Sequence, residues 1–220
     1  MSLSKLSFVT IFFLFVIQFG FAQRNYDDYN KLGLTGGITL FDISTTDLVT
    51  EQGTGFTGGF TARGAFRNQF DLIYGINFIN SNIGVAARDI TGLDQQSLEY
   101  TIQGVQINFL GSYNIIRHHL SIEFGPLLQV NGKMKLQSER FEGYIIDGYN
   151  TITARDIEDI SKVNFRVLGG ITAGIEGVRL SAQYQYGVSN MLSALNDKNL
   201  ENTNFEGNSS TIVLGAAIYF

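Results

Sequence analysis

From Val178 the chain reads Val-Arg-Leu-Ser-Ala-Gln-Tyr-Gln-Tyr-Gly-Val-Ser, and apolar and polar residues change places at almost every step. Val178, Leu180, Ala182, Tyr184, Tyr186 and Val188 fall on one side, with Arg179, Ser181, Gln183, Gln185, Gly187 and Ser189 on the other. A period of two sends successive side chains to opposite faces of a strand, whereas a helix repeats its apolar positions every three or four residues. The stretch before it behaves alike, with Val163, Phe165, Val167, Ile171, Ala173 and Ile175 opposed to Asn164, Arg166, Gly170, Thr172, Gly174 and Glu176. Between the two, Glu176-Gly177 predicts a two-residue hairpin turn.

The same alternation predicts eight strands, over 31–44, 55–66, 70–83, 98–114, 118–131, 163–175, 178–189 and 211–220. Long connections (45–54, 84–97, 132–162, 190–210) take turns with short ones (67–69, 115–117, 176–177), so all the long ones share one end. An all-β, eight-stranded antiparallel up-and-down transmembrane β-barrel is built on this plan, with short periplasmic turns and long external loops. About 9 to 11 residues per strand suffice to cross the outer membrane, and every predicted strand is long enough.

A soluble lipocalin-like binding barrel also alternates, but it turns its apolar face inward and its polar face to water. A solvated face needs charges such as lysine, yet no lysine occurs between Lys31 and Lys133 or between Lys162 and Lys198. The polar positions carry Gly, Thr, Asn, Gln and a few charges of both signs, which suits a narrow, filled lumen. The membrane barrel is therefore the expectation.

Ahead of the strands, Lys5 precedes the apolar run Phe8 to Ile17, and Gly20-Phe21-Ala22 supplies the small-x-small pattern of a signal peptidase site. Residues 1–22 are expected to be a cleaved signal peptide, leaving 23–220 as one barrel domain that begins at Gln23. A ten-residue apolar run is short of the roughly 20 that a spanning helix needs. The expected location is the outer membrane of a Gram-negative cell envelope.

Composition narrows the chemistry. The chain has no cysteine, which excludes disulfides, thiolate metal sites and a lipoprotein anchor. A net charge of -5 argues against a nucleic-acid partner, which would need clustered Lys and Arg. The four long connections hold seven basic and 13 acidic residues, and the rest of the mature chain is neutral. Such loops predict a solvated acidic face, with divalent cations shared with lipopolysaccharide, or a protein partner, as the alternatives. Outer-membrane lipid and lipopolysaccharide are the expected surroundings of a monomer.

Gly33 to Ser44, Glu123-Phe-Gly-Pro126, Tyr184-Gln-Tyr-Gly-Val-Ser-Asn190 and the closing Gly215-Ala-Ala-Ile-Tyr-Phe220 resemble the PorT-like family of bacterial outer-membrane β-barrel proteins over most of 31–220. The resemblance implies the architecture and, by analogy with one member, an accessory role in protein secretion. The final Ile218, Tyr219 and Phe220 resemble the terminal aromatic insertion signal of such barrels.

Two positions strain the pattern. Pro126 falls inside the fifth strand, where it cannot donate a ladder hydrogen bond, and predicts a bulge or local break. In the fourth strand the apolar register slips at Gly104, from Tyr100 and Ile102 to Val105, Ile107 and Phe109, and predicts a glycine bulge.

Candidate sites are few. Gly53-Thr-Gly-Phe-Thr-Gly58 matches a dinucleotide fingerprint but opens an alternating strand rather than a helix, so small residues in a crowded strand explain it. Asn208-Ser-Ser210 matches a glycosylation sequon, which has no use in a bacterial barrel. His118 and His119 are adjacent in a short turn, cannot easily share a metal, and lie at the end opposite to where lipid-modifying barrels act. No catalytic, cofactor or metal constellation emerges. The remaining candidates are lumen charges: Arg63 with Glu123 in a lower layer, Glu99 with Arg166 in an upper one, and Arg179. Pairing is the expected structural solution for charges in a narrow lumen. The reading that follows is a non-enzymatic barrel with a structural or surface-interaction role; secretion accessory comes second, and a lipid-modifying enzyme or soluble binding barrel third.

Overall fold

The computed structural model describes residues 29–67 and 69–220; the proposed signal peptide and its cleavage before Gln23 lie outside the described residues. Eight long strands form the ring: β1 (Asn30–Ser44), β2 (Thr50–Arg67), β3 (Phe70–Arg88), β4 (Gln95–Ile116), β5 (Leu120–Leu136), β7 (Val163–Gly174), β8 (Val178–Gly187) and β9 (Asn208–Tyr219). A two-residue strand, β6 (Ile145–Ile146), pairs with the last two residues of β3, Ala87 and Arg88. All neighbours are antiparallel, and β1 closes the ring by pairing with both β2 and β9. No helix among the described residues is long and apolar enough to cross a membrane.

The alternation places polar side chains inside and apolar ones outside. Arg63, Asp71, Gln106, Glu123, Gln129 and Arg166 are buried within the ring, while Phe60, Ile76, Phe165, Leu180, Leu214 and Ile218 are exposed on its outer wall. Water solvates such a wall poorly, and soluble monomers rarely expose apolar patches beyond a few hundred Å². A lipocalin-like barrel would show the reverse arrangement. Near the short-turn end, Phe70 packs its ring 6.0 Å from that of Phe124 and 6.1 Å from that of Tyr113, the type of aromatic girdle found at a membrane interface.

Toward the long-loop end the barrel changes character, and this corrects several sequence expectations. β3 runs to Arg88 and β4 starts at Gln95, so most of the expected loop 84–97 is strand. β2 likewise starts at Thr50, and β5 continues to Leu136. Toward this end the inward side chains are apolar: Ile83, Val85, Leu98, Tyr100, Ile102 and Met134 pack with Ile146, Ile152, Ile157, Met191, Leu195 and Phe205 from the loops. The segments 137–162 and 188–207 thus fold back over the mouth and fill it with a hydrophobic core. Each large apolar side chain buried there contributes about 1.5–3 kcal/mol, which holds the connections down.

The slip at Gly104 has the same origin. β4 keeps even-numbered residues inward throughout, with Leu98, Tyr100, Ile102, Gln106, Leu110 and Ser112 all buried. Below Gly104 the outward residues Val105, Ile107 and Phe109 are the apolar ones; above it the inward residues are. The strand does not change face; its surroundings change polarity. A bulge does occur beside Gly104, but its extra residue lies in β5, where Gly132 and Lys133 stand opposite Gln103. At Pro126 the register is intact: it pairs regularly with Val167, while the β4–β5 ladder lapses between Asn108↔Leu127 and Gly111↔Phe124. The missing N–H therefore produces a local break toward β4 without a bulge.

Candidate functional site

The lumen holds the buried charges. Arg63 projects inward from β2, and its fork is filled on every side: Nε donates to Asp71 Oδ2 at 2.8 Å, Nη1 to Glu123 Oε1 at 3.2 Å, and Nη2 to Ser112 Oγ at 2.7 Å, Ser121 Oγ at 3.2 Å and Asn114 Oδ1 at 3.3 Å. Both carboxylates are as buried as the guanidinium. Arg179, from β8, donates to Ser121 Oγ at 2.7 Å and joins the same layer, so two cations face two anions. This balance is what permits the layer, because an uncompensated charge in a dry interior costs several kcal/mol.

Asp71 escaped the sequence reading although it stands on the inward face of its strand, two positions before Ile73 and six before Asn77. Its signal was the same alternation that located Arg63. Above this layer sit four inward apolar side chains, Ile73, Leu110, Leu127 and Leu168. A cavity of about 70 Å³ adjoins both, lined among others by Asn77, Asn108, Glu123, Thr172 and Arg179.

The expected upper pair is not formed. Glu99 lies exposed on the outward face of β4, because even-numbered residues there point inward. Arg166 is buried alone, giving its N–H groups to Gln129 Oε1 at 2.7 Å, Thr211 Oγ1 at 2.6 Å and the Gln185 carbonyl at 3.3 Å. Gln106 knits this layer by donating to both Gln129 and Gln185.

At the C-terminus, Ile218 and Phe220 are exposed on the outer wall, while Tyr219 turns inward, lining the lower cavity. The glycines of the Gly53–Gly58 stretch serve close packing: a Cβ on Gly53 or Gly55 would collide with the backbone of β3. Asn208, Ser209 and Ser210 open β9, with Ser209 buried. β5 begins at Leu120, so both histidines belong to the turn before it. His118 Nδ1 lies 3.6 Å from Glu176 Oε1, and His119 Nδ1 lies 2.9 Å from the Arg117 carbonyl.

Much of the acidic charge of the loops is spent on holding the loops together. Asp159 binds Lys133 at 2.9 Å and Lys198 at 2.7 Å, and these ammonium groups, Lys198 first, hold its carboxyl below the usual carboxylate range. Glu201 accepts the backbone N–H groups of Asn150 and Thr151, which lowers its own titration. Asp47 accepts from the Glu206 N–H, and Asp156 from Thr153. Among the described residues no group of three or more His, Cys, Asp or Glu could hold a metal ion.

An eight-stranded antiparallel up-and-down ring with a polar interior and an apolar wall is the architecture of small outer-membrane β-barrels. No protein-family model matches the chain, and no curated protein does, so the PorT-like resemblance rests on the motifs quoted above. Among solved structures, Neisserial surface protein A is similar over 86% of this chain and 97% of its own, at 12% identity and a TM-score of 0.52. The outer membrane protein OprG from Pseudomonas aeruginosa (12% identity, 88% of this chain and 97% of its own, TM-score 0.46) is also similar. So is Ail, the attachment invasion locus protein of Yersinia pestis (12% identity, 87% and 99%, TM-score 0.45). At these identities the likeness concerns the fold.

Proposed function

We propose that this chain is a non-enzymatic outer-membrane protein, exported by residues 1–22, that spans the membrane as a closed monomeric barrel and presents a folded acidic cap at the cell surface for a structural or surface-interaction role. The observation that carries the reading is the inverted polarity of the wall, with Phe60, Ile76, Leu180 and Ile218 outside and Arg63, Asp71 and Glu123 inside. Hydrocarbon is the natural solvent of such a wall, and a closed ring leaves no unpaired strand edge in it. The cap supports the second half of the reading. Most of its large apolar side chains turn into the mouth, Ile90 and Leu93 at the tip of the β3–β4 turn excepted, and much of the rest of its surface is polar, acidic and tied by internal ion pairs. Rigid polar surface of this type suits contact with headgroups or another protein better than transport.

Protease treatment of intact cells tests it. Arg140 is exposed in a short 3-10 turn of the cap, and cleavage there should precede any cleavage at Arg117 in the β4–β5 turn. Recovery of the protein in the soluble periplasmic fraction, or cleavage at Arg117 alone, would overturn the location or the orientation.

A further inference from the structure

On four adjacent strands the apolar outer wall stops along one line. Phe78, Val105, Val130 and Val163 are direct partners across β3, β4, β5 and β7, and all four are exposed. One row up, Asn80 pairs with Gln103, Lys133 stands opposite Gln103, and Lys162 lies across the β5–β7 seam, its carbonyl accepting the Asn131 N–H at 2.8 Å. The next row is Asn82, Thr101 and Lys135, again direct partners, and Thr101 Oγ1 donates to Asn82 Oδ1 at 2.9 Å. The wall therefore continues above the line as amides, a hydroxyl and ammonium groups, with the lysines gathered at the β5–β7 end.

Four of the five lysines in 29–220 meet here: Lys133, Lys135, Lys162 and Lys198. Lys133 and Lys198 share the single carboxylate of Asp159. Lys135 and Lys162 are exposed and have no ion pair among the described residues. No acid occurs in either row; Glu99 comes one row higher on β4, and Glu158 accepts the Leu136 N–H with Oε1. Hydrocarbon ends where an apolar wall ends, so the two rows stand at the depth of lipid headgroups. A lysine at that depth strengthens the hold on an anionic headgroup about fivefold.

We propose that this face seats a phosphorylated, acylated saccharide of the outer leaflet, with its phosphate against Lys133, Lys135 and Lys162. Its acyl chains lie along the exposed Val105, Val130 and Phe165 below the line, and its sugar hydroxyls meet the side-chain amides of Asn80 and Gln103. A soluble anion would engage the lysines alone, whereas the continuity of apolar wall, basic group and amide row on one face fits a molecule that has all three parts. The lipid contact thus falls to this basic rim and not to the acidic loops. It rests on the placement of the barrel in the outer membrane with its long connections outward.

Native mass spectrometry of the full barrel in micelles, titrated with diphosphorylated lipid A or with the same lipid stripped of phosphate, tests it. The phosphorylated lipid should bind more tightly, and Lys135→Gln combined with Lys162→Gln should weaken it about 25-fold while leaving the stripped lipid unaffected. Both side chains are exposed, and the gel mobility of unheated samples checks that the variant folds. Lys31→Gln, the same charge change near the opposite rim, should leave the affinity within about twofold of the parent. Equal affinity for the two lipids, an undiminished affinity in the double variant or an equal loss with Lys31→Gln would overturn the site. Displacement of the lipid by millimolar inorganic phosphate would reduce it to a plain anion site and overturn the lipid as its occupant. Binding in micelles does not depend on orientation, so a barrel that passes these tests yet is cut only at Arg117 on intact cells would refute the orientation and not the lysine contact.

Discussion

Replacing Arg63 with Met keeps most of the side-chain volume and removes the charge, and with it five hydrogen bonds to Asp71, Glu123, Ser112, Asn114 and Ser121. Two carboxylates, each about 4–5% exposed, are then left with Arg179 as their one remaining cation in the layer. Removing one partner of a buried ion pair costs about 3–5 kcal/mol when the site is dry. The adjoining cavity of about 70 Å³ admits some water to Glu123, which places the expectation near the lower bound, about 3 kcal/mol. The assay is reversible urea unfolding in micelles. Because the chain has no tryptophan, strand circular dichroism or the gel mobility of unheated samples must report it. The cycle is completed by Arg63→Met in the background Asp71→Asn and Glu123→Gln, where the orphaned charges no longer exist and the penalty should shrink to about 1 kcal/mol or less. A single variant within about 0.5 kcal/mol of the parent, or an equal loss in both backgrounds, would refute the claim that charge balance stabilises the lower lumen.

Planar-bilayer recording should show no steady open state, since the apolar core of Tyr100, Ile102, Ile157 and Leu195 fills the mouth above the charged layers; a stable large conductance would contradict this. Below the ordinary carboxylate value near 4, the cap should loosen as Asp159 protonates. Its folded-state titration is lowered by Lys198 and Lys133, so the stabilisation is whole above that pH and is lost as pH falls through the lowered value. Hydrogen exchange in 139–160 and 190–207 reads the effect, and Asp159→Asn should remove its pH dependence. N-terminal sequencing of the membrane-fraction protein should begin at Gln23, and a retained Met1 would sink the signal-peptide proposal.

The wall and the cap were not equally legible. A barrel wall repeats one local rule, so the faces of β8 and the placement of Arg63, Glu123, Arg166 and Arg179 inside could be read from alternate positions alone. Asp71 obeyed the same rule and was missed only because it stands at the start of its strand. Glu99 was misplaced because the apolar residues were assumed to mark the outer face along the whole of β4. That assumption fails where the surroundings change from hydrocarbon to water, and the slip of the apolar register at Gly104 is the mark this change leaves in the pattern.

Backbone periodicity, turn length and the absence of lysine along the strands therefore determined the eight-stranded ring and the identity of its two faces, because alternation is a property of each strand by itself. Tertiary structure decided what those faces meet. Whether Ile146, Ile157, Met191 and Leu195 belong to solvated loops or to a core depends on residues more than 40 positions away, such as Ile83 and Leu98, which pattern alone does not bring together. The pairing of the charges was decided in the same way: Arg63 finds Glu123 because β2 and β5 face one another across the lumen, and Arg166 finds no carboxylate because the ring places none at its height.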